Sequence, residues 1–260
     1  GGASWLFNSL TASKTAGQTL THTAGSFNIG VNFSCTSGSF TSSSAGTISF
    51  TGAVVGDIAH AGVGTTTFDH IQLAKGAGVD VTSTSDWSVS GNYTNTSGDL
   101  VCSGGTVTFT GNSSTHAVNG GAVQYNSVTV AKNGLATLTH STATGFSVLG
   151  DFTCSGPGSF SATAGTVTLN GTSAQGIGGP GAITFNDLSL SGGSTKTLGV
   201  SVTINTTLVV TGNSTFAMGT NSVSSDGSST IQGDPGSTLP IGAAAGISFT
   251  GAGWGYSPAN

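Results

Sequence analysis

The sequence predicts an all-β, elongated β-solenoid, and three observations carry that expectation. A short alternating phrase returns about every 60 residues, the spacing that marks a repeat architecture: AGTISFTGA at 45–53, GTVTFTG at 105–111, GTVTLNG at 165–171 and AGISFTGA at 245–252. Within the phrases, apolar and hydroxyl side chains alternate with the period of two that sorts a strand into two faces. The composition removes the helical option: charged residues are 5% of the chain, against about 25% in ordinary domains. All nine acids are Asp and all four bases are Lys, so Glu and Arg, two good helix formers, are absent. Gly accounts for 44 of 260 residues, and Ser, Thr and Asn fill much of the rest, a composition rich in turns.

Aligning the phrase brings the other segments into register. One block reads FNSLTASK (7–14), FDHIQLAK (68–75), YNSVTVAK (125–132) and FNDLSLSG (185–192). A second reads FNIGVNFSC (27–35), WSVSGNYTN (87–95) and FSVLGDFTC (146–154), and a further position supplies Ile58, Val118 and Ile177 beside Gly-rich turns. The repeats fall near 1–65, 66–123, 124–183 and 184–260, the last with an insertion near 219–245.

Each phrase reads as a strand with an apolar inner face and a hydroxyl outer face. Ile48 and Phe50, Val107 and Phe109, and Val167 and Leu169 are the expected core columns, with Thr47, Ser49, Thr106 and Thr108 facing out. Short strands of this kind bury their inner faces by stacking coil upon coil. At about 20 residues and one 4.8 Å rung per coil, the expectation is about 13 coils in a right-handed parallel β-helix near 60 Å long, with three rungs per repeat. The rival architecture is a tandem of antiparallel β-sandwiches, which also use alternating strands.

The succession GTVTFTG…AVNGGAVQYNSVTVAKNG…ATLTH…FSVLGDFTCSGPGSFSATAGTVTLNG resembles the repeats of large secreted bacterial and archaeal β-helix proteins of adhesin-like type. The resemblance covers nearly the whole chain and implies a β-helix serving as stalk, adhesive surface or coat. It implies no particular activity.

Residues that could carry chemistry are few. Net charge is −5 with four Lys, which leaves no basic stripe for nucleic acid. No apolar run is long enough to span a membrane. Asp57 and Asp69 are close in sequence, but turn residues are the favoured reading, and no catalytic residue and no enzyme activity are expected. His22 and His140 occupy equivalent repeat positions about 28 Å apart on this scheme, and His60, His70 and His116 align with neither. All five histidines are expected in polar loops or at the surface, with no metal and no cofactor. The segment 224–237, with Asp226 and Asp234, is expected as a surface excursion too poor in acids to hold calcium. Lys14, Lys75 and Lys132 each follow the aromatic of their copy by seven residues, with Lys196 displaced by four; the expectation is a solvated strand end.

Cys35 and Cys154 are repeat equivalents too far apart to bridge, and Cys102 has a different phase. Buried free thiols are the default, with a bond between subunits the alternative that an odd count allows. Outward Thr pairs, reliable once per 60 residues or so, are too sparse for an ice-binding array. Sequons at Asn32, Asn92, Asn95, Asn112, Asn170, Asn205 and Asn213 are candidate glycosylation sites.

Both ends lack a charged or helical cap. Trp5 and Phe7 share one strand face, and Trp254 and Tyr256 share another, which makes them the candidate subunit interface. The leading expectation is a secreted, mature extracellular structural protein whose partner is itself, polymerising head to tail. The alternatives are an adhesin segment that binds glycans or surfaces, and a polysaccharide-active β-helix enzyme.

Overall fold

The computed structural model describes residues 5–43, 46–112, 114–225, 229–239, 247–249 and 255–258. It contains strands and turns and no helix among those residues. The chain divides into two compact units, Gly1–Asn126 and Ser127–Asn260. Each is a β-solenoid whose neighbouring strands run parallel. Parallel pairing rules out the antiparallel sandwich.

In the first unit three strands make one turn, and each strand pairs with the third one after it. The first face stacks Trp5–Phe7, Phe27–Ile29, Thr47–Gly52, His70–Lys75, Tyr93–Ser97 and Ser114–Val118. The second stacks Leu10–Ser13, Asn32–Ser37, Gly56–His60, Asp80–Ser83, Asp99–Cys102 and Val123–Tyr125. The third stacks Thr19–His22, Ser39–Ser42, Thr66–Phe68, Trp87–Val89 and Thr106–Phe109. Trp5 pairs Phe27, Phe27 pairs Ile48 and Ile48 pairs Ile71, so one turn consumes 22, 21 and 23 residues.

The second unit follows the same rule. One of its faces stacks Thr137–His140, Ser159–Ala162, the first half of Ala182–Leu190, the first half of Val202–Val210, Val223–Ser225 and Ile247–Phe249. The next carries Phe146–Val148, Thr166–Leu169, the second halves of the two long strands, Thr230–Gly233 and Gly255–Pro258. The remaining face carries Ser127–Val130, Phe152–Cys154, Gln175–Gly178, Thr195–Leu198 and Thr215–Ala217, with Thr215 bridged to Thr238.

This geometry corrects the expected relation between repeat and coil. The phrase strand Thr47–Gly52 lies on the first face of its unit, whereas its repeat equivalent Thr106–Phe109, eight strands later, lies on the third. In the second unit Thr166–Leu169 and Ile247–Phe249 again fall on different faces. The eight strands that separate the copies beginning at Thr47, Thr106 and Thr166 are not a whole number of three-strand turns, so these repeat equivalents do not stack. Ile48 stacks instead between Phe27 and Ile71, and Phe50 between Ile29 and Leu73. The insertion near 219–245 likewise supplies rungs of the ladder: Val223–Ser225, Thr230–Gly233 and the bridge at Thr238. The expected surface excursion at 224–237 is therefore part of a coil, with Asp234 accepting from the backbone N–H of Gly212 at 2.7 Å; Asp226 lies outside the described residues.

The inward residues form a continuous apolar filling in each unit. Ile48, Phe50, Val167 and Leu169 are 0% exposed, Phe109 1% and Val107 2%. Aromatic rings meet edge to face within a coil and between coils: Phe33 lies 4.8 Å from Phe40 on its own coil and 5.1 Å from Phe68 on the next, and Phe152 lies 5.0 Å from Phe160 on its own coil and 5.5 Å from Phe185 on the next. Ser49 points outward as its parity requires, yet it is buried, with its hydroxyl donating to Gln72 Oε1 at 3.2 Å.

Tight corners between strands bring one backbone against the next. Gly121, at φ +77°, would place a Cβ 1.8 Å from the carbonyl oxygen of Gly98, whereas Gly78, at φ +68°, has open space around it. Gly121→Ala is expected to lower stability by roughly 1–3 kcal/mol through strain and displaced backbone. Gly78→Ala should cost about 1–2 kcal/mol at most, from the left-handed conformation alone. Thermal unfolding followed by circular dichroism compares the two; equal losses would show that the corner tolerates the contact.

Candidate functional site

The sequence places most of its ionisable and nucleophilic groups in polar or surface settings. The structure moves many of them inside. Lys75, Lys132 and Lys196 are 2%, 1% and 0% exposed, so the solvated strand end expected for this column is wrong for three of its four members; Lys14 is exposed. The reason lies at the corners, where backbone carbonyls leave the ladder and need donors. Lys75 Nζ donates to Gly30 O at 2.5 Å and to Val54 O at 2.9 Å, binding its own coil to the two before it. Lys196 Nζ donates to Gly171 O at 2.7 Å and Ser194 Oγ at 2.6 Å. Gln175 performs the same task with an amide, donating to Val148 O and Gly150 O and accepting from Gly171 N.

Two histidines move inside as well. His116 is 1% exposed, stacked 4.9 Å from Tyr93, with Nε2 2.7 Å from the Tyr125 hydroxyl. His140 is 0% exposed and packs 5.4 Å from Phe146. His22, His60 and His70 are half-buried. His70 Nδ1 accepts from the backbone N–H of Asn92 at 2.9 Å, and its Nε2 lies 3.7 Å from Asp69. His60 Nδ1 contacts Thr66 Oγ1 at 3.0 Å. Burial raises the hydroxyl pKa of both Tyr93 and Tyr125 well above the usual tyrosine value.

Cys35, Cys102 and Cys154 are free and buried within the chain, the setting of small apolar side chains rather than of exposed thiols. Cys35 Sγ and Cys154 Sγ each donate to a glycine carbonyl, Gly38 O and Gly158 O, at 3.5 Å. Burial pushes the Cys102 thiol up to about 12 and raises that of Cys154. Cys35 stacks between Ala12 and His60, and Cys154 beside Val130.

Asp57 and Asp69 have separate partners. Asp57 is on a strand rather than a turn and accepts from Thr82 Oγ1 at 2.9 Å, while Asp69 accepts from Ser90 Oγ at 3.1 Å. No group of three or more His, Cys or Asp side chains able to hold a metal occurs among the described residues. No helix of the described residues is long and apolar enough to cross a membrane.

Three surface features remain. The first is a hollow of about 870 Å³ beside the first coil of the first unit, lined by Trp5, Phe7, Leu10, Leu20, His22 and Phe27 among others. Trp5 is 72% and Leu6 69% exposed, and Phe7 meets Phe27 edge to face at 5.6 Å. Trp254 lies outside the described residues; Tyr256 falls in the strand Gly255–Pro258, its side chain outside them. The second is the set of sequons. Asn32, Asn92, Asn112 and Asn213 are exposed and Asn170 and Asn205 half-buried. Asn95 is 0% exposed and donates to Gly98 O at 3.0 Å, so the packing leaves no room for a glycan there.

The third feature is a row of hydroxyls that the repeat alignment did not show. On the third face of the first unit Thr21, Thr41, Thr67, Ser88 and Thr108 stand in register on five successive coils. In the second unit Thr139, Ser161, Thr184, Thr203, Ser224 and Ser248 occupy one register position on six. The once-per-repeat spacing of outward Thr is therefore corrected to one hydroxyl per coil on these faces.

The fold thus defines a parallel β-solenoid protein. No family model, curated protein or solved structure matches the chain.

Burial pushes Lys132 and Lys196 down to about 8. A lysine whose folded pKa lies below its unfolded value of about 10.4 binds more protons when unfolded, so its contribution to stability rises with pH between those values. The raised thiol and phenols act oppositely above about 8.5 and 10, their unfolded values, so a paired comparison isolates the lysine. Wild type is expected to gain on Lys196→Met as pH rises from about 7 to 10, with the gain setting in near 8; melting temperatures measured across that range check it. The thiols give a second test: a maleimide reagent should label none of the three cysteines in the native chain and all three in denaturant.

Proposed function

We propose that the chain is an extracellular structural protein, a subunit of a surface filament, sheath or coat that polymerises head to tail by β-stacking. The open edge of the first unit carries this reading. Its first coil, Trp5–Phe7, Leu10–Ser13 and Thr19–His22, pairs on one side with the coil that follows. On the other side it has no partner among the described residues, and its apolar lining is exposed. Parallel ladders join only a leading edge to a trailing edge. Ile247–Phe249 and Gly255–Pro258, each paired on one side with Val223–Ser225 and Thr230–Gly233, supply the trailing kind.

A second copy stacked there would repeat the pairing that already joins coil to coil, a heterologous contact that propagates into a fibre. The exterior supports the reading: with a net charge of −5 over 260 residues, repulsion between copies is weak, and hydroxyl side chains keep the flanks wetted. The extracellular placement belongs to the same proposal and rests on that neutral, hydroxyl-rich exterior.

Electron microscopy and sedimentation of the purified chain are expected to show polymers. Trp5→Lys combined with Leu6→Lys puts charge on an already exposed edge, so it should yield monomers whose melting temperature is unchanged. Wild type remaining monodisperse at high concentration would overturn the proposal.

A further inference from the structure

We propose that a groove on the first unit, where its second face turns into its third, binds a neutral glycan chain. The groove has a volume of about 450 Å³ and is lined by His60, Thr65, Thr84, Asp86, Ser88 and Thr108 among others. That volume suits a small-molecule site, and the lining spans three successive coils.

The chemistry of the walls points to a polyhydroxylated ligand. The hydroxyls of Thr65, Thr84, Ser88 and Thr108 have no hydrogen-bond partner among the described residues, and each can both donate and accept, as a sugar hydroxyl does. Asp86 accepts from the backbone N–H of Thr106 through Oδ1 at 2.7 Å, which fixes the carboxylate while Oδ2 keeps its capacity to accept. A carboxylate accepting from sugar hydroxyls forms the stronger, charge-assisted kind of hydrogen bond. No lysine lines the groove, and the charge on Asp86 opposes an anionic ligand, so the occupant is neutral.

The walls are also held in place before any ligand arrives. Ser85 Oγ donates to His60 O and accepts from His60 N, both at 3.1 Å. His60 Nδ1 is tied to Thr66 Oγ1, and the backbone N–H of Thr65 donates to Ser39 Oγ at 3.1 Å. A site already rigid loses little entropy on binding. The occupant is a chain rather than a single sugar because the row Thr41, Thr67, Ser88 and Thr108 continues the hydroxyl surface along the face, one rung about every 4.8 Å.

The proposal is independent of end-to-end assembly, since the groove lies on the flank of the solenoid. Titration calorimetry and saturation-transfer NMR on the full chain test it with cellohexaose, xylohexaose, mannohexaose and chitohexaose as neutral probes and hexagalacturonate as the acidic one. At least one neutral hexamer is expected to bind and the acidic one to bind more weakly than it. Asp86→Ala removes a charged acceptor and should weaken binding about tenfold or more. Thr108→Val should weaken it by a smaller factor, and Thr153→Val in the second unit should leave it unchanged. Ser88→Trp places a ring in the groove from an outward position and should abolish binding; if that variant melts early, Asp86→Ala and Thr108→Val decide. Failure of every neutral hexamer to bind at millimolar concentration would overturn the proposal, as would tighter binding of hexagalacturonate or affinity indifferent to Asp86→Ala.

Discussion

Parallel backbone pairing from coil to coil, at steps of 19 to 26 residues, is the interaction on which the rest of this molecule depends. It satisfies most N–H and C=O groups of each strand through the coils on either side, with side chains such as Ser85 and Asp86 serving groups at strand ends. It also makes the interior one continuous column per face, because an inward residue touches whichever residue lies one turn away. Ile48 between Phe27 and Ile71 shows the consequence: most inward positions take an apolar residue, but no particular one. The faces therefore tolerate Phe, Ile, Leu, Val and Tyr at stacked positions, and the edge-to-face aromatic contacts take up the differences in size.

Corners are where this economy fails. The chain leaves the ladder there, and carbonyls such as those of Gly30, Val54 and Gly171 turn away from strand partners. An ammonium group carries three donors on a long flexible stem, so one lysine can serve carbonyls from two earlier coils, as Lys75 does. The cost is desolvation of a charge, visible in the lowered pKa of Lys75, Lys132 and Lys196. Gln175 closes an equivalent corner without that cost, using a neutral amide that donates twice and accepts once. The rare charges of this chain are thus partly structural, which fits a protein whose surface is almost uncharged.

How much of this was legible in the sequence depended on which period governed the feature. Parity within a strand has a period of two, and it identified Ile48, Phe50, Val107, Phe109, Val167 and Leu169 as buried without knowledge of the neighbours. The class of fold followed from the same alternation and the repeat. The coil period was hidden, because the 60-residue signal spans eight strands whereas a turn spans three. Features that depended on the neighbouring coils were therefore misplaced: the surface lysines and the density of outward Thr. A sequence signal did exist. Lysines recurring at a fixed distance after an aromatic, in a chain with four bases in all, marked a structural demand more specific than solubility.

The mismatch between repeat and turn also explains why the exterior shows no sequence motif. A side chain placed at one position of the repeat appears on one face in one copy and on a neighbouring face in the next, as Thr47–Gly52 and Thr106–Phe109 do within the first unit. Duplicating the repeat therefore cannot build a row along any single face. The rows that exist, such as Thr21, Thr41, Thr67, Ser88 and Thr108, draw on unlike repeat positions and arise because Ser and Thr fill most outward sites everywhere. A local departure from that background then stands out. Among the described residues Asp86 is the one acidic side chain in the wall of the flank groove, set beside the hydroxyls of Thr65, Thr84, Ser88 and Thr108. In a molecule whose repeat cannot write a binding motif along its own axis, specificity falls to such singular positions, where one coil differs from its neighbours.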